Sequence, residues 1–180
     1  MDRRAHIKKL MALGAASALP AALWAGTERS EEAAVKSERA FGYKRSVSHW
    51  TVDDLDWDDL CGWLVQEGVE AVDLVGPENW HHLKKHGLDS SMCNGAELNL
   101  VDGFIHEEFE GVLHERYRAL IPRVAKAGYK NSICFSGNRR GLSEGEGLKQ
   151  AVKALQPMVA LAEEHGVVLQ MELFNSTVDH

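Results

Sequence analysis

Between Lys44 and Leu173 short strand-like runs alternate with longer runs of helical period, and this alternation constrains the fold more than any other feature. Strand, crossover helix and strand in succession build a parallel sheet covered by helices. Lys44 to His49 is the first strand. The helix after it is opened by Asp53 or Asp54, carries Trp57, Leu60, Cys61 and Leu64 at i, i+3, i+4 and i+7, and closes at Gly68. Val69 to Val75 is the second strand, ended by Gly76-Pro77. A short helical run from Glu78 to Lys85 leads through Gly87 to the third strand, Leu88 to Cys93, and Asn94-Gly95 marks a turn. The spacing of Leu113, Tyr117, Leu120, Ile121 and Val124 predicts a helix from Glu107 to Ala127, with Pro122 inside it and Gly128 as the stop. Tyr129 to Phe135 is the fourth strand. Ser143 and Glu146 have capping-box spacing and open a helix with Leu148, Val152, Leu155, Val159 and Ala162 on one face, up to Gly166.

The fifth strand, Val167 to Leu173, is the most informative. Its side chains alternate between the two sides, so Val167, Leu169, Met171 and Leu173 form an apolar face suited to packing under helices. Val168, Gln170 and Glu172 form the other face, which in a barrel is the lumen. Glu172 stands at the C-terminal end, where barrel active sites are built. No GxGxxG or GxxxxGK[ST] follows any strand, so a nucleotide-binding open sheet lacks its glycine loop. The fold class expected is α/β, a partial (β/α)8 TIM barrel made of about the first five β/α units. A closed barrel needs eight strands and about 250 residues. The fifth strand therefore presents a hydrogen-bonding edge unless further chain, or a second copy in a homo-oligomer, covers it. A compact five-stranded domain is the alternative.

The sequence opens with a different kind of segment. Arg3 and Arg4 precede an apolar, small-residue stretch from Leu10 to Ala25, too short and alanine-rich for a convincing membrane span. Residues 1–26 read as a twin-arginine-type signal peptide, giving a periplasmic or secreted protein with no membrane span after cleavage. An uncleaved anchor is the competing account. Residues 27–40 are charged and aperiodic, a linker, and 41–180 form the incomplete barrel domain. The formal net charge of −7 repels a phosphate backbone, so nucleic acid is not an expected partner. Cys61, Cys93 and Cys134 are odd in number and lack metal-finger spacing, and they read as buried thiols.

Two runs carry a family likeness. Asn131-Ser132-Ile133-Cys134-Phe135-Ser136-Gly137-Asn138-Arg139-Arg140-Gly141 is followed after one helix by Met171-Glu172-Leu173-Phe174-Asn175-Ser176 and then Val178-Asp179-His180. With Ser48-His49-Trp50 and Asp73-Leu74-Val75-Gly76-Pro77-Glu78-Asn79-Trp80, this pattern resembles the hydroxypyruvate isomerase family of xylose-isomerase-like sugar isomerases and epimerases. The resemblance spans Phe41 to His180. It implies a barrel that binds one divalent ion by carboxylates and a neutral side chain at the ends of strands five to eight. Glu172 matches the first of those ligands, and the others belong to strands beyond His180. The implied substrate is a small molecule, the pair hydroxypyruvate and tartronate semialdehyde.

Such chemistry moves a proton between adjacent carbons through an enediolate, with a divalent ion as Lewis acid and carboxylates carrying the proton. Glu172 is the candidate for both roles, metal ligand and catalytic group. Oxygen ligands favour Mg or Mn, with Zn or Co also compatible. His49 either hydrogen-bonds a substrate oxygen or is satisfied in the rim. Arg139 and Arg140 offer guanidinium forks for a substrate carboxylate, or solvated surface. Asn175 orients substrate or makes a turn, and Asn94 makes a turn. His82 and His86, at i and i+4, are expected on a solvated face, and Trp57 in the core. The acidic run from Asp53 to Asp59 reads as favourable charge at a helix N-terminus. Two other classes compete: a non-catalytic exported fragment without a full site, and a metal-dependent phosphodiesterase acting on abasic DNA, which the acidic charge disfavours.

Overall fold

A computed structural model describes residues 44–172 of the chain. The signal-like segment, the linker and Asn175 lie outside the described residues. Five strands form one parallel sheet in the order β1-β2-β3-β4-β5: Ser46–Ser48, Ala71–Val75, Asp89–Cys93, Asn131–Cys134 and Val168–Met171. The crossovers carry helices α1 (Trp57–Gln66), α2 (Trp80–His86), α3 (Glu110–Ala127) and α4 (Glu144–Glu164). Each crossover steps in the same direction along the sheet, and right-handed crossovers of that kind place every helix on one side. The opposite side is helix-free among the described residues.

The strand registers sort the side chains accordingly. Val72 and Val75 of β2, Cys93 of β3 and Cys134 of β4 are buried in the core under the helices, with Val47, Leu169 and Met171 packed against them. Ser48, Asp73, Met92, Asn131, Val168 and Gln170 fall on the helix-free side. The alternation expected of the fifth strand is thus present, with Val168 54% exposed and Leu169 partly buried.

Helix α1 begins at Trp57, and Asp56, not Asp53 or Asp54, is its cap, accepting from the Asp58 and Asp59 amides at 2.9 and 3.2 Å. The difference has a local cause. A 3-10 turn over His49–Thr51 and the bonds Val52 N to His49 O and Leu55 N to Val52 O bury Val52 and use up the residues before Asp56. The stripe of α3 is buried as its spacing predicts, and the Tyr117 hydroxyl donates to the Ile133 carbonyl beneath it. Burial pushes that phenol far up from its ordinary range, so it stays a donor. His114, also buried, hydrogen-bonds the Ala154 carbonyl and ties α3 to α4.

Helix α4 has the expected capping box between Ser143 and Glu146, but its expected apolar face is largely not the packed one. Leu148 is 67% and Val152 58% exposed, and Val159 is exposed too, whereas Gly147, Ala154, Met158 and Ala162 are buried. Two apolar stripes lie side by side on this helix. The one rich in small residues packs because glycine and alanine let the helix approach its neighbours closely. All three cysteines are buried and free, and burial raises Cys61 and Cys93 to about 11 and Cys134 to about 12, so none is a ready thiolate.

Candidate active site

The candidate residues fall at two places along the sheet, one at β5 and one at β1 and β2. Glu172 follows β5 directly. Its amide donates to the Cys134 carbonyl at 3.0 Å, which extends the β4–β5 ladder by one residue and holds the exposed carboxylate at the strand end. Alternation from Val168 and Gln170 sets it on the helix-free side.

At the other end of the sheet, Ser48 donates to Asp73 Oδ2 at 2.6 Å across the β1–β2 pair. Directly after Asp73 the β2–β3 register slips, and Leu74 takes a left-handed φ of 60°. The buried Trp80 Nε1 then donates to the Val75 carbonyl at 2.9 Å and pins the irregularity. The sequence names Ser48 and Asp73 only inside the runs that carry the family likeness, with no role for either. The signal of the pair was a lone aspartate inside the otherwise apolar run Ala71–Val75.

His49 is half-buried, and its ring stacks on Trp57 with centroids 4.1 Å apart and planes within 6°. Burial lowers its pKa, against an opposing pull from Asp53, so the imidazole is neutral at neutral pH. Trp57 is half-buried and packed against the core, as expected, and stacks on His82 in turn at 5.7 Å. His82 and His86 are not on a solvated face. Both are half-buried and converge on Asp58 Oδ1, at 3.1 and 3.2 Å, while Lys85 holds Oδ2 at 2.5 Å. The reason is the packing of α2 on α1, which sets this histidine pair opposite the first turn of its neighbour.

The Lys85 ammonium first, then His82 and His86, hold the Asp58 carboxyl well below the ordinary carboxylate value of about 3.9. A depressed folded-state pKa stabilises the fold above the unfolded value, and the contribution is lost as pH falls further toward the folded one. Wild type is therefore expected to melt above Asp58→Ala at pH 5 to 7, with the gap closing below about pH 4. Thermal melts across that range read it, and a gap that holds constant down to acid pH would refute the ion-pair account.

Arg139 is exposed, and its guanidinium has no partner among the described residues. Arg140 is occupied: it pairs with Asp102, lies 4.0 Å from Glu108 and sits over the Phe109 ring. Its φ of 45° bends the loop to make that pair. Asn94 continues the β2–β3 pairing, its backbone N–H donating to the Val75 carbonyl at 3.4 Å, and the bend follows at Gly95.

What fixes the loop after β4 is a contact the sequence did not announce. The loop before α3 crosses it through Phe104 N to Phe135 O at 3.2 Å, Ile105 N to Ser136 O at 3.0 Å and Asn138 N to Val101 O at 2.8 Å. Gly103 and Gly137 meet backbone to backbone, and a Cβ on Gly103 would lie 2.4 Å from the Gly137 nitrogen. The buried His106 closes the joint: Nδ1 accepts from the Gly103 amide, so Nε2 carries the proton and donates to the Asn138 carbonyl at 2.9 Å.

No group of three histidine, cysteine, aspartate or glutamate side chains among the described residues is disposed to hold a metal ion. Glu172 is a single carboxylate at its strand end, so the described residues by themselves do not make a metal centre. No described helix is long and apolar enough to cross a membrane.

No family model and no curated protein matches the sequence. Solved structures do match the fold. An AP endonuclease of family 2 from Brucella melitensis superposes with a TM-score of 0.62 at 14% identity, over 74% of this chain and 57% of that one. The 3-keto-D-glucoside 4-epimerase YcjR from E. coli gives 0.57 at 16% identity, over 77% and 59%. The IolI protein, solved with a bound zinc atom, gives 0.56 at 14% identity, over 72% and 51%. The chain thus spans a little over half the length of these structures. The fold is that of a partial TIM barrel, five parallel strands with their helices.

Proposed function

We propose that this chain contributes the first half of a sugar isomerase or epimerase site, in which Glu172 moves a proton between carbon atoms of a hydroxy-carbonyl substrate. The observation that carries the reading is a carboxylate held by the extended β4–β5 ladder at the C-terminal end of β5, on the side of the sheet that no helix among the described residues covers. Aldose–ketose exchange and epimerisation both begin by removing a proton next to a carbonyl, and a fixed carboxylate is a base of the right kind. The neutral His49 and the unpaired Arg139 fit hydrogen-bonding roles toward substrate oxygens, with Asn175 a further contact. Hydroxypyruvate and tartronate semialdehyde are the pair suggested by the family resemblance, and the 3-keto-D-glucoside 4-epimerase among the similar structures widens the class to neutral sugar derivatives. A divalent ion, Mg or Mn before Zn or Co, belongs to the same reading through that resemblance, and no step here is routed through it.

The test is a turnover assay, metal supplied, of the chain extended by the strands that complete the barrel, with hydroxypyruvate and with neutral ketoses, beside the same protein carrying Glu172→Gln. Turnover equal in both proteins sinks the assignment. The reading includes export. With Arg3 and Arg4 replaced by lysine, a reporter fused behind residue 40 is expected to stay inside the cell, and unchanged export of that fusion would rule out the twin-arginine route.

A further inference from the structure

We infer that Ser48 and Asp73 form a second binding subsite, one that takes a hydroxyl group of a neutral polyhydroxylated substrate and disfavours an anionic one. The inference rests on the reading of Glu172 as the reacting group and names the substrate class for the same side of the sheet. Asp73 is half-buried on the helix-free side at the middle of β2, level with Ser48, the last residue of β1. Ser48 occupies Oδ2, which orients the carboxylate, and Oδ1 has no partner among the described residues. A carboxylate oxygen held this way is an acceptor waiting for an O–H donor, and a charged acceptor makes a stronger bond than a neutral one.

The backbone at this point argues that the placement is not incidental. The register slips immediately around Asp73, and Leu74 sits in a left-handed conformation that a branched side chain adopts only under compulsion. Bulges and strained residues of this kind cluster where a strand must re-aim a side chain for function. The strain is held in place from the helix side by the Trp80 bond to Val75. On the β1 side, Thr51 Oγ1 donates to the Ser48 carbonyl at 2.7 Å and fixes the turn that follows it. Trp50, 63% exposed, offers an indole at the same strand end.

Charge decides the class of ligand. Asp73 and Glu172 stand on one side of the sheet, and none of the five strands places a lysine or arginine on that side. Arg140 is committed to Asp102, and Arg139 lies on an exposed loop. A substrate carboxylate entering here meets like charge, whereas a sugar hydroxyl meets an acceptor.

The experiment is an amide NMR titration of the 180-residue chain with D-fructose as the neutral probe and hydroxypyruvate as the anionic one. The expected result is saturable shifts at Ser48, Asp73 and Leu74 with fructose, and weaker binding of hydroxypyruvate. Asp73→Ala should weaken fructose about tenfold. Asp73→Asn, which keeps an acceptor and the shape, should retain most of the fructose affinity while losing the discrimination against hydroxypyruvate. Fructose shifts absent from these three residues, or hydroxypyruvate bound as tightly as fructose by wild type, overturns the subsite. The two readings fail separately. Fructose bound at these residues, with turnover of the completed barrel unchanged by Glu172→Gln, sinks the role of Glu172 and leaves the subsite standing. Turnover with an unchanged KM in Asp73→Ala does the reverse.

Discussion

Gly137→Ala is expected to lose about 3 kcal/mol or more of folding stability, read as a fall in the urea midpoint at unchanged slope. Two costs add at this position. The φ of 87° is one that only glycine adopts without strain, and a Cβ there would lie 2.5 Å from the Gly103 nitrogen and 2.8 Å from the Val101 oxygen. Those atoms are backbone, held by the bonds joining the two loops, so they have no rotamer by which to retreat. The substitution also drives into the His106 ring at 2.8 Å and disturbs both of its hydrogen bonds. Gly111→Ala is the control. It lies in α3 with nothing within 4 Å of the new Cβ, so alanine there should stabilise the protein by about 0.5–1 kcal/mol. Equal effects at the two glycines would show that the joint between the loops carries no weight.

Glu172→Gln is expected to lower turnover by about 10²- to 10⁴-fold, the range in which a positioned proton carrier contributes. The amide keeps the shape and the backbone bond to Cys134, but it cannot accept the proton. Because the side chain is exposed, the melting temperature should change little. That pairing of a large kinetic loss with a small stability change separates a catalytic role from a structural one. A variant that loses activity and stability together would point to Glu172 as a strand-end support.

Much of the architecture was legible in local pattern. The β/α alternation predicted a parallel sheet, the spacing of Leu113, Tyr117, Ile121 and Val124 predicted the buried stripe of α3, and Ser143 with Glu146 predicted the start of α4. The same period was not enough where two apolar stripes compete. On α4, hydrophobicity favoured Leu148 and Val152, and Gly147, Ala154 and Met158 packed instead, with Ala162 the one residue of the expected face that is fully buried. Glu172 was legible because alternation along one strand fixes which side a residue faces. Asp73 was harder to read, since its aim depends on a slipped register with β3 and a tryptophan from α2.

The sequence by itself thus determined the order of the elements, the parallel sheet, the burial of the three cysteines and the carboxylate at the end of β5. Periodicities of 2 and 3.6 residues are local properties of a chain. Only the tertiary structure decided that His82, Lys85 and His86 clamp Asp58, that Arg140 is spent on Asp102, that Gly103 and Gly137 touch, and that Ser48 steadies Asp73. Each of those joins residues far apart in sequence, and which distant groups meet is set by the packing of whole helices and loops, which no local pattern encodes.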